Sequence, residues 1–379
     1  MITLTRNIFL IFLCLSTGAQ GIEKDSLKLQ MLGKKLYFDT NLSKNRSQSC
    51  ASCHNPDFGF VDPRTNISGR AASLGDDGKS LGDRNAPTAA YASFSPKFYQ
   101  DGKTGEYFGG QFHDGREADL EGQAGGPPLN PIEMGMVSKK EVAERIKENK
   151  SYEKQFKALF GAKVFNKPDL VYQGMARAIA SFERSAEFAP FDSKYDRELR
   201  GDYEFTELEE LGKALFFSNN NTNCSSCHML HSESHQKETF SNYSYHNIHV
   251  PQNLALRKLN KVQGADKGLL NNPKVIDKRQ AGKFKTPTLR NIAVTGPYMH
   301  NGVFQELRTV ILFYDKFNNK KRTLNPETQK PWREGPFPET VSRKDLNAKV
   351  LSDRKVDALL AFLETLTDKR YEHLLEKKK

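Results

Sequence analysis

Cys50-Ala51-Ser52-Cys53-His54 and Cys224-Ser225-Ser226-Cys227-His228 are the stretches of this chain whose residue types and spacing imply chemistry most directly. Two thiols one helical turn apart can add to the two vinyl groups of a single porphyrin, and the histidine that follows then reaches the iron. The pattern is that of c-type haem attachment. One copy alone would leave a redox disulfide or half of a zinc site open. Two copies, each closed by a histidine, favour two covalent haems, with His54 and His228 as their proximal iron ligands.

The fifth cysteine, Cys14, falls in an opening stretch composed like an export signal: Arg6 in a short polar start, an apolar run from Ile8 to Leu15, then small residues at Thr17, Ala19 and Gly21. Residues 1–21 are therefore expected to be removed and the mature protein to be periplasmic. The run is far shorter than the ~20 residues that span a bilayer, so no membrane span is expected after processing. The bulky Leu13 argues against lipid attachment at Cys14. A formal net charge of +11 suits nucleic acid, an anionic membrane or an acidic protein. Export argues against nucleic acid and leaves an acidic redox protein or protein substrate as the expected partner.

The elements that must position the two motifs repeat. Leu32-Gly33-Lys34-Lys35-Leu36-Tyr37-Phe38 precedes the first motif and Leu211-Gly212-Lys213-Ala214-Leu215-Phe216-Phe217 the second, each reading as an amphipathic helix that leads into its haem site. Downstream, residues 171–187 and 353–367 carry apolar side chains at helical spacing, among them Ile179, Phe182, Leu359, Phe362 and Leu363. At 379 residues the chain exceeds the usual size of one core. The expectation is a mainly α fold of two cytochrome c-like domains, 22–195 and 196–379, each enclosing one covalent haem within long loops. The boundary is expected in the charged stretch between Pro190 and Gly201. Residues 55–135, rich in glycine and proline, form a loop region too long to be idle.

Beyond the motifs, the segments Arg84-Asn85-Ala86-Pro87-Thr88, Phe112-His113-Asp114-Gly115-Arg116, Gln123 through Glu133-Met134, Phe284-Lys285-Thr286-Pro287-Thr288-Leu289-Arg290-Asn291 and Pro297-Tyr298-Met299-His300-Asn301-Gly302 together resemble the bacterial dihaem cytochrome c peroxidase and MauG family. The resemblance covers nearly the whole mature chain. It implies that the N-terminal haem is the peroxide site, with Glu133 beside its open face. A carboxylate there can take a proton from the near oxygen of peroxide and deliver it to the far one, so that water leaves. Gln123 matches a second position of that pocket and would order bound peroxide or water.

Two departures from the family pattern matter. Relatives often place a removable histidine ligand shortly before the Arg-Asn-x-Pro-Thr segment, but residues 71–83 contain no histidine, which implies a first haem open as isolated. His113 stands where relatives usually carry tryptophan between the haems. An imidazole is much harder to oxidise than an indole, which puts that relay in doubt. The single tryptophan, Trp332, reads as a packing residue.

Tyr314 stands 14 residues beyond His300, where cytochrome c peroxidases carry a methionine ligand and MauG a tyrosine. A thioether favours ferrous iron, whereas a phenolate favours ferric or higher states. Tyr314 is the expected distal ligand of the second haem, with Met299 the alternative if Tyr314 merely packs. The resemblance also implies a calcium ion held by Asn85 and by the carbonyls of Thr295 and Pro297, oxygen donors that suit a hard cation. His231, His235 and His249 read as surface or loop residues; His246 is the one to examine for a haem contact.

The leading expectation is an exported peroxidase that reduces hydrogen peroxide at the N-terminal haem, with electrons from a protein donor passing through the C-terminal haem as in MauG. A conventional cytochrome c peroxidase, oxidising a small cytochrome or copper protein, is the alternative. A non-catalytic dihaem electron carrier is a third reading, and would need both irons capped by strong ligands.

Overall fold

The computed structural model describes residues 25–218 and 221–376; the expected leader, residues 1–21, and the terminal Lys377 to Lys379 lie outside them. The first half runs from a helix over residues 25–37, through the short helix Cys50–Cys53 of the first motif, to Lys139–Glu148, Lys150–Phe160 and the closing helix Pro168–Glu183. The second half repeats the plan with Glu207–Phe216, Cys224–Cys227, Leu307–Asp315 and the closing helix Asp353–Glu364. Strands among the described residues are two-residue antiparallel pairs, such as Tyr245–His246 with Phe284–Lys285. One apolar core draws on residues from Leu32 to Phe188 and another on residues from Tyr195 to Leu366.

Local sequence explains the closing helices. Pro168 occupies the first turn, where its missing N–H costs nothing. Val171, Met175, Ala178, Ile179 and Phe182 then fall on one buried face. The leading helix of the second half starts at a reciprocal capping box, the Thr206 hydroxyl accepting from the Glu209 N–H while the Glu209 carboxylate accepts from the Thr206 N–H.

Each leading helix crosses its closing helix at a glycine. A Cβ on Gly33 would lie 1.8 Å from the Ala178 carbonyl oxygen, and one on Gly212 would lie 1.9 Å from that of Ala358. Phe182 and Phe362 follow at matching positions. Neither carbonyl can yield without breaking its helix, so Gly212→Ala is expected to cost the upper end of the ~1–3 kcal/mol typical of overpacking. The holoprotein's thermal midpoint checks this, and an unchanged midpoint would deny the contact. Counted from the glycines, Tyr37 corresponds to Phe216 and Glu183 to Leu363, so the first half carries a phenol and a carboxyl where the second is apolar.

The stretch in which the domain boundary is expected forms the helix Lys194–Leu199. Ser193 and Asp196 make a capping box, and Asp196 is buried against the fully buried Arg290 at 2.5 and 2.9 Å. Residues beyond the second core help to close the seam between the halves. Tyr91 Oη donates to Asp368 Oδ1 at 2.6 Å, and Tyr371 Oη donates to the Pro56 carbonyl at 2.6 Å.

Candidate functional site

The second motif opens onto a large cavity lined by Cys224, Cys227, His228, Met299 and Tyr314. His228 Nδ1 donates to the Phe240 carbonyl at 2.8 Å, which fixes the ring and leaves Nε2 for a metal. Burial pushes His228 down to about 4, keeping it in the neutral form that a ligand needs. Tyr314 is 38 % exposed although it sits on a core helix, because its ring faces this cavity. Burial, then the nearby Cys227 and Cys224, hold its phenol well above the usual tyrosine range; a bound cation would reverse that preference. Two thiols, a neutral imidazole and an inward-facing phenol around a cavity fit a covalently held haem.

His246 lies at the edge of this site, its Nε2 3.4 Å from Cys227 Sγ and its Nδ1 2.9 Å from Asp345 Oδ2. Burial lowers its pKa, but Asp345 and Cys227 outweigh that and raise it to about 9. Trp332 packs edge-on against Phe304 and Phe313. His249, expected at the surface or in a loop, lies in a loop but is buried and paired with Glu334 at 2.9 Å.

The first motif is oriented in the same way. His54 Nδ1 points at the Phe60 carbonyl at 3.2 Å, and Tyr37 Oη donates to the His54 carbonyl at 2.8 Å. Burial pulls His54 below its ordinary value. Glu133 is close enough for its charge to be felt at both Cys50 and Cys53. Asn130 Nδ2 donates to Glu133 Oε1 at 2.8 Å. Burial raises the Glu133 pKa, with Arg116 and Asn130 opposing. Gln123 is half-buried on the short helix Leu120–Ala124, which Asp119 caps.

Between the motifs, His113 lines the large cavity and its Nε2 donates to the Asn85 carbonyl at 3.0 Å. Burial, reinforced by Arg84, pushes His113 down to about 4, so it is neutral at pH 7. Asn85, Thr295 and Pro297 line the same cavity. Asn85 Nδ2 is turned towards the carbonyls of Arg70 and Ala71 at 3.3 and 3.4 Å, leaving Oδ1 as its donor to a cation. Among the described residues the Thr295 and Pro297 carbonyls accept no backbone hydrogen bond. An all-oxygen set of this kind fits calcium.

Sequence reasoning missed Tyr91 and Asp368 and gave Arg290 no role of its own. A signal was present: Pro87-Thr88 and Pro287-Thr288 head a repeated loop. Thr88 Oγ1 donates to the Gly59 carbonyl and Thr288 Oγ1 to that of Thr239. Three residues on, Tyr91 and Asn291 both adopt positive φ, 59° and 61°, and both donate to Asp368. Glu183 was also missed; it is 6 % exposed and pushed up to about 8 by burial.

With this geometry in place, the chain belongs to the di-haem cytochrome c peroxidase family, whose model matches residues 28–204, and is a haem peroxidase of the dihaem class. Its similarity to individual members extends much further. It is 48% identical to the methylamine utilization protein MauG of Paracoccus denitrificans over 92% of this chain and 90% of that protein. It is 30% identical to the cytochrome c551 peroxidase of Nitrosomonas europaea over 92% of this chain and 82% of that one. The crystal structure of the diheme peroxidase BthA from Burkholderia thailandensis superposes with a TM-score of 0.81 at 32% identity, covering 90% of this chain and 86% of that one. Two haem cofactors follow from the family. Covalent attachment at both motifs is expected to appear in the mass of the purified protein, and Cys50→Ala/Cys53→Ala is expected to lose one haem and keep the other. A haem-free wild-type mass would end that reading.

Proposed function

We propose that the protein is an exported, periplasmic dihaem c-type peroxidase that reduces hydrogen peroxide at its N-terminal haem and draws electrons from a protein donor through its C-terminal haem, mechanistically like MauG. The observation that carries this reading is Tyr314, whose phenol faces the cavity shared with Cys224, Cys227 and His228. Haem held in each half would supply an iron that exchanges electrons with peroxide at one site and with a protein at the other.

The chain's own residues do the rest. His54 and His228 present Nε2, each ring fixed by a backbone carbonyl. Glu133, aimed by Asn130, takes a proton from the near oxygen of peroxide and gives it to the far one. Gln123 orders the bound peroxide. Asn85 from one half and Thr295 and Pro297 from the other would hold calcium across the seam. His113 is a neutral hydrogen-bond donor that anchors Asn85. Met299 lines the same cavity as Tyr314, and this favours a conventional cytochrome c peroxidase as the second reading.

Visible and electron paramagnetic resonance spectra of the ferric protein, before and after stoichiometric peroxide, test the function. A peroxidase changes both spectra; a carrier with two capped irons changes neither. No helix among the described residues is long and apolar enough to cross a membrane. The basic chain is expected to find an acidic partner by electrostatic steering. Association should therefore slow as salt rises and the Debye length falls to ~8 Å at 0.15 M. Stopped-flow rates independent of ionic strength would contradict that partner.

A further inference from the structure

A buried tyrosine–carboxylate pair lies on the seam between the two halves, and the proposed function gives it no role. Tyr91 is 1 % exposed and Asp368 is 0 % exposed. Tyr91 Oη donates to Asp368 Oδ1 at 2.6 Å, Asn291 Nδ2 donates to Oδ2 at 2.8 Å, and the Asp368 N–H donates to Asn291 Oδ1 at 2.8 Å. The segment that carries Tyr91 adjoins the surroundings of both proximal histidines. On one side, Ala89 N–H donates to the Phe60 carbonyl at 3.1 Å, the same carbonyl that faces His54 Nδ1. On the other, Tyr91 lines the cavity that holds Cys224, Cys227 and His228. The buried Arg290 guanidinium lies 5.5 Å from the Tyr91 ring and 5.3 Å from the ring of Phe240, whose carbonyl accepts from His228.

We propose that Tyr91 is a one-electron relay between the two haem sites and that Asp368 is the base that takes its phenolic proton. The proposal rests on the peroxidase reading above. Tyr91 gives one electron to the haem that peroxide has oxidised. Its O–H bond breaks, the proton moves along the 2.6 Å hydrogen bond to Asp368 Oδ1, and a neutral tyrosyl radical remains. An electron from the protein donor and return of the same proton restore the pair.

Charge decides why the proton must leave. Arg290 beside the ring opposes a second positive charge there, and an unreleased proton would create one. His113, the other candidate between the sites, has a ring that is intrinsically harder to oxidise and has the Arg84 cation as a neighbour. Asp368 can serve only when ionised. The groups facing it are Tyr91, Asn291, Arg290, Asp192 and Tyr371; burial is the larger influence and pushes it up to about 6. Radical formation should therefore rise with pH through that region.

The test is freeze-quench electron paramagnetic resonance of the holoprotein after stoichiometric peroxide, with and without ring-deuterated tyrosine. The wild type should show a tyrosyl signal that narrows on deuteration and grows as pH rises through about 6. Tyr91→Phe should lose it with both haems retained. Asp368→Asn keeps an acceptor for the phenol but no base, so it should lose the signal at every pH, and it serves also if Tyr91→Phe does not fold. A tyrosyl signal that survives in either folded variant, or haem spectra that respond to peroxide with no wild-type tyrosyl signal, would overturn the relay alone. Haem spectra unchanged by peroxide would instead remove the peroxidase reading beneath it.

Discussion

Glu133→Gln is expected to slow the peroxide step by ~10²–10⁴-fold, the usual worth of a positioned general base and acid, while leaving haem content unchanged. Gln matches Glu in size and can still meet Asn130 through its amide oxygen, so packing at the buried site is preserved. What disappears is the ability to take a proton from one peroxide oxygen and hand it to the other. The wild-type rate should also depend on pH. Burial raises the Glu133 pKa, and only the carboxylate can accept the first proton, so the rate climbs as pH rises through that raised value. Glu133→Gln should be flat over the same range. Rapid mixing with peroxide measures both effects, and a variant within a few-fold of wild type would show that the proton moves elsewhere.

The other large effect belongs to Tyr314. If its phenolate caps the second iron, that haem is low in potential and can store an oxidising equivalent. Tyr314→Phe should open the sixth position and abolish that storage, whereas Tyr314→Met should raise the potential towards that of a cytochrome c peroxidase. Burial favours the protonated phenol, so ligation must release a proton, and the wild-type protein alone should bind haem iron at this position more tightly as pH rises. Redox titrations and peroxide-induced spectra of the three proteins make the comparison. Identical second-haem properties in all three would reduce Tyr314 to a packing residue.

The attachment motifs and the helices around them were legible because their information is local. CxxCH spacing is one turn of helix, and the repeated Leu-Gly-Lys segments reveal paired leading helices before any fold is known. Why the glycine recurs was not legible, since the carbonyls it must clear, Ala178 and Ala358, lie far along the chain. Glu133 and Tyr314 stood out only through the family resemblance; nothing in their own neighbourhoods separates them from a loop glutamate and a core tyrosine. Flanking Pro190 and Gly201 marked residues 190–201 as a place for a domain boundary, but not the packed helix that the Ser193–Asp196 box and the distant Arg290 make there. Tyr91 and Asp368 are 277 positions apart, and no pattern of either alone announces the pair.

The residues that close the seam have a consequence for how the molecule is made. Asp368 and Tyr371 follow both cores in the chain, yet their partners Tyr91 and Pro56 belong to the first half. Each half can collapse on its own core, whereas Tyr91 and Pro56 wait for these partners until the segment beyond Leu366 folds back onto the first half. Engagement of this last segment is an intramolecular step, and its rate should not depend on protein concentration. Haem attachment to the first motif can precede it.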